Sequence, residues 1–76
     1  MTMTTTQLAK TLADMYANAP KGDKVTMIHL FGIRYAPDIA FCGDSVTRIV
    51  ELSKIGTSYV TEVHKGIRLS KYVTAN

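Results

Sequence analysis

Hydrophobic residues along the chain fall into segments with helical spacing. The first segment, about Thr5 to Asn18, repeats apolar residues every three or four positions. Those positions are Leu8, Leu12, Met15, Tyr16 and Ala19. Thr4 and Gln7 have the spacing of a capping box, in which each residue satisfies a free backbone N–H at the start of a helix. Pro20 and Gly22 are typical of a helix end, so we predict a first helix between these signals.

The second segment, about Lys24 to Tyr35, is apolar around most of a helical circumference. A helix with that pattern is usually buried, so we predict the central helix of the domain here, with Asp23 as its cap. A buried strand is the alternative for residues 27–33, where β-branched and aromatic residues are frequent. We expect Pro37 to end the helix, because the residue before a proline avoids the α region. Residues 37–44 would then form a connector.

A third helix is predicted from about Val46 to Ser53, with Asp44 or Ser45 as its cap. Its inward residues are Val46, Ile49, Val50 and Leu52. The sequence "KIG", residues 54–56, then predicts a tight turn.

A fourth helix is predicted from Thr57 or Ser58 to about Lys65, with Gly66 as the left-handed residue that follows it. Residues 67–76 fit either a short helix or an extended arm. The chain is therefore expected to be a single domain, residues 1–76, with an all-α fold: a compact bundle of four to five short helices.

The third and fourth predicted helices have the pattern of a helix-turn-helix at about residues 46–65. In that motif a short turn redirects the chain, and apolar side chains fix the angle between the two helices. The residues spaced for this role are Ile49, Leu52, Ile55, Val60 and Val63. Polar residues would face outward from the second helix, where such a helix enters the major groove of DNA. They are Thr57, Ser58, Thr61, Glu62, His64 and Lys65.

Positive charge is concentrated in the same half of the chain. The net charge is +3 at pH 7. Met1 to Asp44 holds four Lys or Arg and four Asp or Glu, whereas Ser45 to Asn76 holds five and two. The whole excess of three positive charges thus accompanies the predicted helix-turn-helix. A basic surface attracts the phosphate backbone through counterion release, although five cations also suit any soluble surface.

The segment "VTRIVELSKIGTSYVTEVHKGIRL", residues 46–69, resembles the helix-turn-helix of phage-repressor-like and related bacterial regulators. Through "LFGIRYAPDI" and "SYVTEVHKGIRLSKYV", the whole chain resembles a family of small bacterial helix-turn-helix-like proteins. Two positions depart from the usual pattern: Lys54 stands where the turn commonly has glycine, and Val50 where the helix crossing favours alanine.

The resemblance implies a DNA-binding module and assigns contact residues by motif position. These are Thr57, Ser58, Tyr59, Thr61, Glu62 and Lys65. Lys54, Arg68 and Lys71 flank that surface and could hold phosphates, as could His64. The predicted DNA-binding set is therefore Lys54, Thr57, Ser58, Tyr59, Thr61, Glu62, His64, Lys65, Arg68 and Lys71.

Other kinds of chemistry have little support in the sequence. Cys42 is the only cysteine, which excludes an internal disulfide and favours a reducing cytoplasm. Cys42, His29 and His64 lack zinc-site spacing, and we expect His29 to be a satisfied core or boundary residue. No phosphate loop, nucleophile elbow or Cys–His pair is present, so we expect no enzyme, cofactor or metal.

The polar N-terminus and the absence of a long apolar run predict a cytoplasmic protein without membrane segments.

The leading prediction is sequence-specific binding of double-stranded DNA by a small transcriptional regulator. Because one small module buries little surface on DNA, we expect a homodimer that contacts itself through the first or last helix. The alternative is a protein-interaction adaptor that binds a partner through the helix-turn-helix face or the second helix. A purely structural helical hairpin would show the same apolar spacing.

Overall fold

The computed structural model describes residues 3–74, which form four α-helices. They are α1 (Thr5–Ala17), α2 (Lys24–Phe41), α3 (Val46–Ser53) and α4 (Val60–Leu69), with a 3₁₀ turn (Thr57–Tyr59) before α4. The described residues contain no strand, so the helical prediction for residues 27–33 is confirmed and the strand alternative is wrong. The predicted all-α bundle is confirmed.

The start of α1 has the predicted capping box. The Thr4 hydroxyl accepts a hydrogen bond from the Gln7 backbone N–H at 3.1 Å, and the Gln7 side chain accepts one from the Thr4 N–H at 2.9 Å. These bonds satisfy two of the backbone donors that a helix start leaves without partners. The helix ends at Ala17, one residue before the predicted end.

The second helix is longer than predicted, because it continues through Pro37 to Phe41. Proline lacks the N–H that would bond to the carbonyl of Ile33, and its ring crowds that carbonyl, so continuing the helix has a cost. Beyond the proline, Ile39 is buried in the core, and this burial favours continuing the helix. The predictions that Pro37 ends the helix and that residues 37–44 form a connector are therefore wrong.

Three acidic residues lie near these helix ends, and two of them, Asp23 and Asp44, were predicted as possible helix caps. Asp23 precedes α2, but its side chain makes no capping hydrogen bond. Asp38 lies within α2, and its Oδ1 accepts a hydrogen bond from the Met3 N–H at 3.4 Å. Asp44 Oδ2 accepts a hydrogen bond from the Thr5 hydroxyl at 2.8 Å. Asp38 and Asp44 thus connect the end of α2 to the start of α1.

The third helix has the predicted bounds, and Ser45 is its cap, accepting a hydrogen bond from the Arg48 N–H at 3.2 Å. Lys54 then adopts the left-handed conformation, with φ 64°, and Gly56 has φ 117°. Lys54 therefore occupies a conformation that glycine adopts with less steric cost.

The fourth helix continues past its predicted end at Lys65 to Leu69. Gly66 is a buried residue inside α4, so its predicted place after the helix end is wrong. The reason is tertiary: Gly66 lies where α4 crosses α2, and a larger residue would not fit there. Of the tail, residues 70–72 form a turn, and residues 75–76 lie outside the described part.

The core is shared by all four helices. Its buried apolar residues are Leu8, Ala9, Leu12, Ile28, Phe31, Ile39, Val46, Ile49, Val50 and Val63. The third helix packs mainly on α1 and the fourth mainly on α2, so α3 and α4 contact each other only to a small extent. Of the five residues expected to fix the α3–α4 angle, Leu52 does not, because it is 39% exposed.

The backbones of α2 and α4 approach each other closely at two glycines, Gly32 and Gly66. A Cβ added to Gly32 would lie 2.6 Å from the carbonyl oxygen of Val63, and one added to Gly66 would lie against the carbonyl oxygen of His29. Both Cβ atoms would lie closer to these carbonyl oxygens than van der Waals contact allows. This crossing fixes which side of α4 faces inward.

Candidate nucleic-acid interface

The outer side of α4 is polar along its length. Because the helix turns Val63 and Gly66 toward α2, residues on the opposite side point away from the protein. With the preceding 3₁₀ turn, that side carries hydroxyl, imidazole and cationic groups, all of them exposed. They are Thr57, Ser58, Thr61, His64, Lys65 and Arg68. We call these six residues the α4 outer face.

Two further cations flank the α4 outer face. Lys54 is exposed in the turn between α3 and α4, and Lys71 is exposed in the turn after α4. The structure thus brings eight of the ten residues predicted from sequence to the exposed surface around α4. The two that it does not place there are Tyr59 and Glu62.

Tyr59 packs inward against α1. Its hydroxyl oxygen lies 3.2 Å from that of Tyr16, and the two ring centroids are 5.4 Å apart. The hydrogen bond with Tyr16 raises the pKa of Tyr59 above its ordinary value. Tyr59 therefore holds the start of α4 against α1, and its aromatic ring is not part of the α4 outer face.

Glu62 turns toward α2, where its Oε1 lies 2.7 Å from Nε2 of His29. On its other side, Oε2 lies 3.6 Å from the Lys65 ammonium. The hydrogen bond from His29 lowers the pKa of Glu62, with Lys65 contributing and partial burial opposing. Glu62 is thus an ionised, partly buried carboxylate that links α2 to α4.

The His29–Glu62 contact joins residues 33 positions apart, and the sequence pattern does not predict it. The expectation that His29 is a satisfied core or boundary residue agrees with the structure, where it is partly buried and hydrogen-bonded. The only signals in the sequence are a histidine within the apolar second segment and a carboxylate in the middle of the fourth. Pairing the two requires knowledge of the α2–α4 register.

A family model for the helix-turn-helix-like (HTH-like) domain matches residues 4–76. The chain belongs to the HTH-like domain family. No curated protein and no solved structure matched the chain in the corresponding searches. HTH-like domains are generally non-enzymatic.

Electrostatics favours an anionic ligand at the α4 outer face of this HTH-like domain. Lys65 and Arg68 supply cations on this face. Hydroxyl groups at Ser58 and Thr61 can both donate and accept hydrogen bonds. The surface therefore combines charge for phosphate with groups able to distinguish base edges.

Across residues 3–74 no group of three or more His, Cys, Asp or Glu side chains is arranged to hold a metal ion. Within the same range, no helix combines the length and apolar character needed to cross a membrane.

Proposed function

We propose that this HTH-like domain binds double-stranded DNA in a sequence-specific manner through the α4 outer face. The observation that carries the proposal is the inward turn of Glu62 toward His29. A carboxylate on the outer face would repel phosphate, and its withdrawal leaves a surface of hydroxyl groups and cations. The protein would act as a small transcriptional regulator of the phage-repressor-like type, in a bacterial cytoplasm.

Residues of the α4 outer face divide into two roles. Lys65 and Arg68 would bind phosphates of the DNA backbone, and Lys54 and Lys71 would contact further phosphates on either side. Ser58 and Thr61 would contact base edges, because hydroxyl groups can pair with several bases in the major groove. Thr57 and His64 would supply further contacts. Tyr59 and Glu62 would position α4 without touching DNA.

We further propose that the protein binds a palindromic site as a homodimer paired through α1. The α4 region carries the whole excess of positive charge, so pairing two copies there would bring like charges together. By contrast, α1 exposes Lys10 and Asp14, whose opposite charges can pair across a two-fold axis. Sedimentation with and without a palindromic duplex tests this, and a single copy per duplex would contradict it.

The DNA proposal is tested by duplex binding over a range of salt concentrations. Lys65→Ala and Arg68→Ala should each weaken binding to random-sequence duplex and reduce the salt slope by about one. Ser58→Ala and Thr61→Ala should instead change the sequences recovered from a random duplex pool. Lys21→Ala, which removes an exposed cation outside α4, is the matched control and should change neither property.

The same experiment separates DNA binding from the adaptor alternative. Binding through phosphate contacts falls steeply as salt rises, whereas an apolar protein interface changes little. If the wild-type protein fails to bind duplex at low salt, or if none of the four substitutions matters, the DNA proposal is wrong.

A further inference from the structure

Apolar side chains are exposed together where α4 ends. Leu69 is 43% exposed, Tyr72 79% and Val73 49%. The three lie within five residues and extend the helical path, because the Val73 N–H donates to the Leu69 carbonyl at 3.1 Å. DNA binding leaves this patch unexplained, since phosphate would pair with the neighbouring cations and leave the apolar side chains in water.

Two hollows lie beside these residues, along the seam between α2 and α4. The first, of about 300 Å³, is lined by His29, Lys65, Arg68, Leu69 and Tyr72. The second, of about 230 Å³, is lined by Ile33, Pro37 and Val73, among others. We call the two hollows together the α2–α4 groove.

Helical spacing places the two hollows one after the other. On α2, the lining residues His29, Ile33 and Pro37 are each one turn apart, and Leu69 and Val73 are also one turn apart. The α2–α4 groove therefore presents two sites separated by about one helical turn, or roughly 5 Å. The lining surface of the first is mostly apolar, whereas Arg34, Ser70 and Thr74 add polar groups to the lining of the second. A small molecule would fill one hollow, whereas a peptide segment could fill both.

The charge around the groove selects an acidic occupant. Lys65 and Arg68 border the first hollow, and Lys71 lies in the turn between Leu69 and Tyr72. Glu62 pairs with both His29 and Lys65, so Arg68 and Lys71 supply the positive charge that an acidic ligand would meet first. A second copy of this chain would oppose the same cations across a two-fold contact, which favours a partner of opposite charge.

We propose that the α2–α4 groove binds an acidic segment of a partner protein that carries two apolar side chains one helical turn apart. The apolar side chains would occupy the two hollows, and flanking Asp or Glu residues would pair with Lys65 and Arg68. This recognition mode is that of an amphipathic helix in a groove. It does not depend on DNA binding, although both ligands would use Lys65 and Arg68.

The first test is selection from a displayed library of random peptides of about 14 residues, which span four helical turns. We expect enrichment of peptides with Asp or Glu and a pair of large apolar residues spaced by three or four. Enrichment of neutral or basic peptides, or no enrichment at all, would overturn the proposal.

The second test measures the affinity of one enriched peptide for variants of the full chain by fluorescence anisotropy. Tyr72→Ala should weaken binding roughly tenfold or more, as loss of an aromatic anchor does at other interfaces. Leu52→Ala, at an exposed apolar residue on α3, is the matched control and should have no effect. Arg68→Glu should weaken binding, while Lys21→Glu should not. Circular dichroism checks that each variant folds.

Two comparisons distinguish an acidic-peptide site from a purely apolar patch and from a contact between copies of this chain. Replacing the peptide's Asp and Glu by Asn and Gln should weaken binding. Equal affinity would show that the negative charge of the peptide does not contribute to recognition. Tyr72→Ala should leave duplex binding unchanged, because it removes no cation. A variant that loses peptide binding but keeps duplex binding therefore tests the peptide proposal independently of the DNA proposal. If sedimentation instead shows a dimer of the free protein that Tyr72→Ala dissociates, the occupant is a second copy and the acidic-partner proposal is wrong.

Discussion

The α1–α3 contact and the α2–α4 contact hold the same domain together in different ways. Where α1 meets α3, large apolar side chains such as Leu8, Leu12 and Ile49 are completely buried. Where α2 crosses α4, two glycines allow the backbones to touch, and a histidine–glutamate hydrogen bond closes the outer edge. The first contact depends mainly on the volume of large side chains, whereas the second also requires two positions that have no side chain.

The α2–α4 contact covers one side of α4. On that side Val63 and Gly66 are buried, and Val60, Glu62 and Ile67 are partly buried. The rest of its circumference stays available for the α4 outer face and for the groove beside Leu69.

The largest expected effect comes from removing volume at the α1–α3 contact. Leu12→Ala should lower the free energy of unfolding by about 3 to 5 kcal/mol, through lost burial and the cavity left behind. Urea denaturation monitored by circular dichroism measures this loss. Leu52→Ala, at an exposed position on α3, should cost less than about 1 kcal/mol. Similar losses for both variants would show that α1 and α3 are not packed as described.

Adding volume at the α2–α4 contact should have the next largest effect. In an exposed helix, Gly→Ala stabilises by about 1 kcal/mol, because alanine has the higher helix propensity. Gly66→Ala should instead destabilise by about 2 to 3 kcal/mol, since its Cβ would meet the backbone of His29. Thr61→Ala on the outer side of the same helix is the control and should cost little. A gain in stability from Gly66→Ala would refute the close crossing.

The smallest expected effect is a pH dependence confined to the α2–α4 contact. Folding lowers the pKa of Glu62 below its ordinary value of 4.5, mainly through the hydrogen bond from His29. The hydrogen bond therefore stabilises the fold fully at pH values above the ordinary pKa. This stabilisation is lost as the pH falls through the lowered pKa of Glu62 in the folded protein. Between about pH 5 and pH 3, the melting temperature of Glu62→Gln should fall less than that of the wild-type protein.

The control for this titration is Glu51→Gln, which changes an exposed carboxylate on α3. It should retain the acid dependence of the wild-type protein. An unchanged acid loss in Glu62→Gln would mean that the His29–Glu62 bond does not stabilise the fold.

Local signals in the sequence were sufficient for the elements that local interactions define. The capping box at Thr4 and both bounds of α3 were predicted, because a cap or an apolar stripe lies within a few consecutive residues. The exposed residues around α4 were also largely predicted, since outward positions follow from helical spacing. Their role in DNA binding stays a prediction.

Features that depend on contacts between distant segments were not predictable in the same way. Pro37 and Gly66 are signals of helix ends, but both lie inside helices that tertiary burial extends. Glu62 has the spacing of an outward residue, yet it turns to a histidine on another helix. The positions of Gly66 and Glu62 depend on the α2–α4 crossing, which leaves no periodic pattern in either segment.

The glycine crossing restricts how a related sequence can vary while keeping this architecture. Since each added Cβ would meet main-chain atoms of the opposite helix, no smaller neighbouring residue can make room for it. Chains with the same crossing should therefore have glycine at both positions, 34 residues apart, even where most other residues have diverged. That spacing offers a simple diagnostic for finding distant members of the family.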